Sequence, residues 1–344
     1  MRKTALVLVL SILSAGPISA GDVPEWVQRT KLSGYVFGDA YWMAQNHDLA
    51  VEDANGFWFR RIYLTFDYAI GDNLSARLRF EGNSPGDFTS SDNIEPFVKD
   101  AYVRWKNDRR SIYLGISGTP TWGVVEEAWG YRAVEKTPLD LQKLGSSRDF
   151  GVAVKGRFGK GSKLGYHLML GNGSGTKGET NQDKKAMLAL GYYPASGWTV
   201  ELYGDVDARP GAADRVTLQA FAAYRAEWGR IGIQAARQSR ERASGEDLDL
   251  DLASLFAVFE VSERISLLGR IDRMFDPNPD GAGVAYLPFD PTAESTLLLL
   301  GVDYQVDRRF SLIPNLEYVA YDGVGGAPDP DGDLMARLTF FFRF

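Results

Sequence analysis

The feature that most limits what this chain can form is a long succession of segments in which apolar and polar side chains alternate, joined by links that take turns being short and long. Successive side chains of an extended strand point to opposite faces, so this alternation predicts strands with one apolar face each. The predicted spans are 30–45, 57–70, 73–82, 96–106, 110–117, 148–158, 162–171, 185–194, 197–206, 214–227, 230–240, 248–261, 264–274, 295–306, 309–320 and 333–344, sixteen in all. The tight links read "GDN", "NDR", "GKG", "ASG", "WGR", "SER" and "VDRR". The others, at 46–56, 83–95, 118–147, 172–184, 207–213, 241–247, 275–294 and 321–332, are longer and rich in Gly, Pro and Asp, the residues that punctuate strands.

Single strands repeat the pattern. In "SKLGYHLML", Leu164, Tyr166, Leu168 and Leu170 oppose Lys163, Gly165, His167 and Met169; likewise Leu74, Ala76, Leu78 and Phe80 oppose Ser75, Arg77, Arg79 and Glu81. A soluble sandwich or propeller alternates too, with its apolar face against a second sheet. The regular contrast of tight and long links favours an all-β, transmembrane antiparallel β-barrel of about 16 strands, with short periplasmic turns and long extracellular loops. Closure satisfies every backbone N–H and C=O in lipid, and an even count brings both termini to one side. Inward-facing charge is cheap only if the lumen holds water, and about 16 strands leave a bore wide enough for it. Two spans, "LASLFAVFEV" and "LLLLGV", alternate poorly. A subunit contact burying both faces would account for them, as would a shifted register.

The chain ends bear on location. "MRKTALVLVLSILSAGPISA" has Arg2 and Lys3, an apolar run from Ala5 to Leu13 and small residues up to Ala20. That is the pattern of a secretory signal peptide over 1–20, too short for a comfortable membrane helix. It predicts a start at Gly21, with a cut after Ala15 as the alternative, and leaves 21–344 as one barrel domain. Of 38 Lys and Arg, two leave with the leader, so 36 remain against 45 Asp and Glu. That acidic balance argues against a nucleic-acid partner. The absence of cysteine excludes disulfides, thiolate metal sites and a lipidated cysteine anchor. At the other end, "DLMARLTFFFRF" places Leu334, Ala336, Leu338, Phe340, Phe342 and Phe344 on one face, and Met335, Arg337, Thr339, Phe341 and Arg343 on the other. The even-numbered face would meet lipid, its phenylalanines in an aromatic girdle. A terminal aromatic such as Phe344 resembles the signature by which bacterial outer-membrane assembly machinery takes up its clients.

Three stretches carry a family resemblance. "FWFRRIYLTFDYAIGDNLSARLRFEG" resembles the second hairpin of the phosphate-selective porin O/P family, "VKDAYVRWKNDRRSIYLGISGTPTWG" its next hairpin and run into the third loop, and "SSRDFGVAVKGRF" the strand leaving that loop. Together they cover about 57–158. The resemblance implies a sixteen-stranded, usually trimeric outer-membrane channel. It implies phosphate selectivity less directly, since the arginine ladder of the phosphate-specific members cannot be traced whole in this net-acidic chain.

The longest link, 118–147, holds Trp122, Trp129 and Tyr131 and is too apolar for a free tether. Long loops in compact folds are commonly functional, and this one is expected to fold inward as a constriction, the alternative being an outer lid on a neighbouring subunit. Its charges are Glu126, Glu127, Arg132, Glu135, Lys136 and Asp140, with Lys143. Alternation points Arg61, Arg77, Arg79, Arg104, Lys155 and Arg157 into the lumen on adjacent strands. A basic wall facing an acidic loop would set up a transverse field within about one Debye length, ~8 Å at physiological salt. Asp67, Glu81, Asp100 and Asp149 share the inward parity and would instead pair with these bases.

Enzymatic readings fare poorly. His47 and His167 are the only histidines, and His47 with Asp48 and Asp53 is the one catalytic candidate. "GNGSGTKGE" lacks a phosphate-loop ending, and "DPNPDGAG" and "APDPDGD" lack the full calcium-loop spacing. No metal and no cofactor is therefore expected. The leading expectation is passive diffusion of small hydrophilic solutes, with anion preference and phosphate-like anions included, through an outer-membrane homotrimer. The alternatives are a sugar or organic-acid channel, suggested by Tyr63, Tyr102 and Tyr113, and an outer-membrane enzyme or non-conducting barrel.

Overall fold

The computed structural model describes residues 23–159, 161–211 and 213–344. The leader 1–20 and the start at Gly21 lie outside the described residues. A short helix, α1 (Glu25–Gln28), leads into β1 (Thr30–Gln45), β2 (Asn55–Ala69), β3 (Leu74–Gly82), β4 (Phe97–Lys106) and β5 (Arg110–Gly118). Helices α2 (Trp122–Trp129) and α3 (Pro138–Leu141) lie in the next connection. Then follow β6 (Arg148–Arg157), β7 (Leu164–Gly171), β8 (Lys185–Tyr192), β9 (Trp198–Asp207), β10 (Arg215–Ala226) and β11 (Gly229–Arg240). The barrel finishes with β12 (Leu248–Glu260), β13 (Ile265–Met274), β14 (Ala293–Asp307), β15 (Phe310–Gly323) and β16 (Asp333–Arg343).

Every strand pairs antiparallel with its sequence neighbours, and β1 pairs with β16, closing the barrel. Tyr35 lies opposite Arg343 and Met43 opposite Met335. The seam is completed at its end by Gly34 and Phe344, whose backbones exchange two hydrogen bonds of 3.1 and 3.0 Å. No backbone edge is left open, which is the condition for crossing lipid with strands. The sixteen alternation-based spans match these strands to within three residues. The largest difference is in β15, which keeps pairing to Gly323, three residues past the expected end, with Tyr321 still inward and Asp322 outward.

The outward positions carry the apolar residues. Leu168, Leu188, Leu202, Leu218, Leu255 and Leu300 are all exposed on the isolated chain, while their neighbours Met169, Met187, Tyr203, Thr217, Phe256 and Leu299 are buried inside. A soluble monomer rarely exposes an apolar patch beyond a few hundred Å², and this surface encircles the barrel. Aromatic pairs mark the short-turn rim: Phe158 with Tyr166, Trp198 with Tyr224, Trp228 with Phe259, and Phe342 with Phe344. They form the interfacial girdle of a transmembrane β-barrel.

The poorly alternating strands have a tertiary cause. Inward residues Leu250, Leu252, Phe256 and Val258 of β12, and Leu297 and Leu299 of β14, are buried. They pack against residues of two long connections, 119–147 and 275–292, that turn into the bore. Their apolar inner face is therefore explained within one chain, without a subunit contact and without a register shift.

Candidate functional site

The 119–147 segment is pinched at its neck, where Thr119 donates from Oγ1 to the Ser146 carbonyl at 2.7 Å and from its backbone to Ser147 at 3.2 Å. Trp122, Val125 and Trp129 of α2, spaced 3 and 4 apart, form one buried stripe. Trp122 meets Tyr203 edge-on at 5.8 Å, and Trp129 meets Phe256 at 5.4 Å. Gly130 ends α2 in the left-handed region (φ 74°), where a side chain would be strained. α3 begins on Pro138, whose missing N–H costs a first-turn position nothing.

Wall side chains bind the backbone of this segment at intervals. Arg230 donates to the Trp129 carbonyl (3.0 Å), Arg270 to Lys136 (2.6 Å) and Gln238 to Leu144 (2.6 Å). Asn278, from the other inserted connection, donates to Gln142 (2.8 Å). Such contacts satisfy carbonyls that would otherwise be buried without partners.

Glu135 is the centre of a buried ionic cluster. Its Oε2 lies 2.9 Å from Arg60 and 3.1 Å from Arg337, and Arg337 also holds Glu317 at 2.9 Å. Arg60 lies 3.8 Å from Asp39 and donates to the Val134 carbonyl. All these side chains are 1% exposed or less. Burial by itself would push the Glu135 carboxyl up, but Arg60 and Arg337 outweigh it and hold the group well below the usual carboxylate range. Glu135 is thus a tether to the wall, in contrast to the expected acidic side of a transverse field.

Two bulges supply bases that strict alternation hides. In β2, Phe37 pairs with Arg61 and Gly38 with Phe59, so Arg60 is the extra residue and turns inward beside Arg61. A Cβ on Gly38 would lie 2.1 Å from the Trp58 carbonyl oxygen, which is why glycine stands at that close approach. In β4, Asp100 and Val98 pair with consecutive β3 residues, leaving Lys99 as the extra one. Its Nζ reaches Glu81 at 2.9 Å. A bulge places two successive residues against one partner and resets the parity.

The bases placed in the lumen by alternation divide into two groups. Arg61 pairs with Glu81 (2.8 Å), Arg77 with Asp67 through two bonds (2.7 and 2.9 Å), and Arg79 with Asp100 (3.2 Å). Asp100 is shared with Arg148, which sequence parity at a strand start did not single out. Arg104 reaches only Ser75 Oγ (3.2 Å), while Arg157 donates to the Ser162 carbonyl and lies 4.6 Å over the Tyr193 ring. Among the described residues, Arg104, Lys155 and Arg157 have no ion-paired carboxylate. Asp149 binds the Phe150 and Gly173 amides and neutralises none of the six.

The inserted segment is not an acidic face opposed to a basic one. Arg132 lies 3.5 Å from Glu126 and 3.7 Å from Asp140, and Glu127 is exposed. Lys136 is buried. Desolvation, together with Arg61 and Arg132, lowers its ammonium to about 8 despite the opposing pull of Asp140. Arg132 and Lys136 therefore join the basic side.

Open space remains above and below the insertion. At the long-loop end a cavity of about 950 Å³ is lined by six bases, among them Lys143, Arg148, Lys185 and Arg215, against Asp149 and Asp207. At the short-turn end a cavity of about 500 Å³ is lined by Arg104, Lys106, Arg109, Arg110, Lys155 and Arg157, against Asp108 and Glu201. A third, of about 430 Å³, holds five arginines against Glu126, Glu127 and Asp303. The acidic balance of the whole chain thus coexists with passages rich in cations.

The other polar motifs have structural partners. His47 does not meet Asp48 or Asp53; its Nδ1 lies 2.9 Å from Asp333, which also accepts from Tyr321 OH (2.5 Å). His167 lies on β7 beside the 500 Å³ cavity. In "DPNPDGAG", Asp276 accepts from the Asp251 amide (2.8 Å) and Asp280 pairs with Arg240 (2.8 Å). Among the described residues no group of three or more His, Cys, Asp or Glu is arranged to hold a metal ion.

No known family matches the sequence, and no curated protein does. The resemblance of 57–158 to phosphate-selective porins therefore rests on its motifs alone. By structure, the chain is similar to an anion-selective porin from Comamonas acidovorans, at TM-score 0.68 and 13% identity, covering 92% of this chain and 99% of that one. It is also similar to OmpF of Salmonella typhi, solved with daunomycin, at TM-score 0.65 and 13% identity over 92% and 97% of the two chains. The trimer form of OmpT, an outer membrane protein of Vibrio cholerae, matches at TM-score 0.62 and 13% identity over 92% and 99%. At these identities what is shared is the fold.

Proposed function

We propose that this protein is an outer-membrane porin: a water-filled channel through which small hydrophilic solutes diffuse passively, with preference for anions, phosphate-like anions among them. The observation that carries this reading is the charge of the open spaces. Each of the three cavities along the bore has more bases than carboxylates, inside a barrel whose exterior is apolar. Fixed charges in a narrow, low-dielectric passage act over about one Debye length and concentrate counter-ions. The 119–147 segment serves as the constriction, with Arg61, Arg79, Lys99 and Arg148 on one side and Arg132 and Lys136 on the other. The long loops face outward, the short turns and both termini face the periplasm, and a cleaved leader delivers the chain there. The trimer form of the Vibrio cholerae neighbour supports a homotrimer, and terminal Phe344 supports recognition by the assembly machinery.

Recording of single channels in asymmetric KCl tests this. The reversal potential should have the anion-preferring sign. It should move toward cations when Arg104, Lys155 and Arg157 are neutralised together, because none of them is ion-paired to a carboxylate among the described residues. Neutralising the carboxylate-paired Arg77 alone would expose Asp67 and confuse the reading. A wild-type preference for cations, or no conductance, would refute the proposal.

A second reading, selectivity for organic acids, is favoured by guanidinium groups placed over tyrosine rings. Arg79 lies 5.5 Å from the Tyr63 centroid and Arg77 lies 5.9 Å from that of Tyr102, which meets Tyr113 at 5.2 Å.

A further inference from the structure

The cavity of about 430 Å³ beneath the inserted segment has the most aromatic walls of the three: Tyr35, Phe37, Tyr131, Phe310 and Phe341 line it, against Tyr113, Tyr166 and Tyr193 in the 500 Å³ cavity. Tyr35 and Phe341 lie on its barrel side with ring centroids 6.1 Å apart, and Tyr131 closes it from the insertion. Arg132 lies with its guanidinium 5.9 Å from the centre of the Phe37 ring. It makes no hydrogen bond among the described residues. Its nearest carboxylate oxygens, on Glu126 and Asp140, stand at 3.5 and 3.7 Å, beyond hydrogen-bond distance. A guanidinium has five N–H donors in a planar fork suited to a carboxylate. Asp303, on the same cavity, accepts from Tyr131 OH at 3.1 Å.

We infer that this cavity is a binding site for aromatic carboxylates, the acid group taken by Arg132 and the ring lying against Tyr35 and Phe341. An inorganic anion would use Arg132 and leave the aromatic walls idle. A neutral sugar would lie on the walls and leave the guanidinium's hydrogen-bond donors without a close charged acceptor. A planar aromatic acid uses both. The volume falls in the range of about 300–1,000 Å³ usual for small-ligand sites. Glu126 and Glu127 on the same cavity oppose an anion, but five arginines outnumber the three carboxylates there. The inference deepens the channel reading and rests on it, since the site would be one stage of passage.

The test is block of the KCl current by benzoate, cyclohexanecarboxylate and phosphate at equal concentrations. Benzoate should block at about fivefold lower concentration than cyclohexanecarboxylate, the factor expected of one ring stacked on an aromatic wall. Tyr35→Leu should erase the gap between benzoate and cyclohexanecarboxylate, and Arg132→Gln should weaken all the acids. Equal block by benzoate and cyclohexanecarboxylate, or stronger block by phosphate, overturns the inference and leaves the channel reading standing. Absence of current in plain KCl would overturn the channel reading. Calorimetric titration of the detergent-solubilised protein with the same acids then decides the site separately: no preference for the aromatic acids, or no effect of Arg132→Gln, overturns it.

Discussion

Replacing Glu135 with alanine should loosen the inserted segment around 131–140 without releasing it. The carboxylate holds Arg60 (2.9 Å) and Arg337 (3.1 Å) and accepts the Lys136 amide (2.7 Å), all out of contact with solvent. Removing one partner of a buried ion pair typically costs about 3–5 kcal/mol, since the other charge stays behind uncompensated. Here the lower end applies: Arg337 keeps Glu317 at 2.9 Å, whereas Arg60 is left with Asp39 at 3.8 Å and a carbonyl. A loss of about 3 kcal/mol raises the detached population roughly a hundredfold. Against it stand Trp122, Val125 and Trp129, whose burial contributes about 1.5–3 kcal/mol each. The helix α2 should therefore stay docked while the following turn opens. Hydrogen exchange of the barrel in detergent would show faster exchange at 131–140 and unchanged protection in α2, and channel records would become noisier. The Glu135 group is held ionised, with its pKa below the usual range. Its contribution is therefore complete above the ordinary carboxylate range, about pH 4.3, and fades as pH falls toward the lowered value. Wild-type protection and a quiet current in Glu135→Ala would refute the tether and assign the anchoring to the apolar stripe.

Two further expectations concern charge in different places. Lys136 loses its proton near 8 rather than at the ordinary lysine value, so it is charged below about 8 and neutral above. Anion preference, read as reversal potential, should decline between pH 7 and pH 9, and Lys136→Met should flatten that dependence. Leu202 faces outward at the middle of β9 and is 59% exposed on the isolated chain. Leu202→Arg should destabilise the barrel by about 2–4 kcal/mol in urea titrations from lipid vesicles; a neutral result would mean that this face does not meet hydrocarbon.

The candidate site was legible in part. The inward direction of Arg61, Arg77, Arg79, Arg104, Lys155 and Arg157 follows from period two, and so does the availability of Asp67, Glu81 and Asp100 as their partners. Arg60 and Lys99 were hidden because each is a bulge residue, and alternation has no term for an added residue. Glu135 looked like part of an acidic loop face because its two arginines lie 75 residues before it and 202 after it. The apolar inner faces of β12 and β14 broke the pattern because they are covered by inserted connections, 119–147 more than a hundred residues away and 275–292 just before β14. That deviation, together with the apolar 118–147 link, was the sign in the sequence that something fills the bore there.

The sequence alone determined the sixteen crossings, their antiparallel order and the apolar exterior. Those properties are local, since a strand's faces repeat every two residues and a short link forces its neighbours to pair. Only the tertiary structure decided which charges cancel, which remain open to the passage, and that two long connections occupy the lumen. Ion pairing depends on the register between strands and on where bulges shift it. The insertion depends on the fit of Trp122, Val125 and Trp129 to an inner wall that exists only once the barrel has closed.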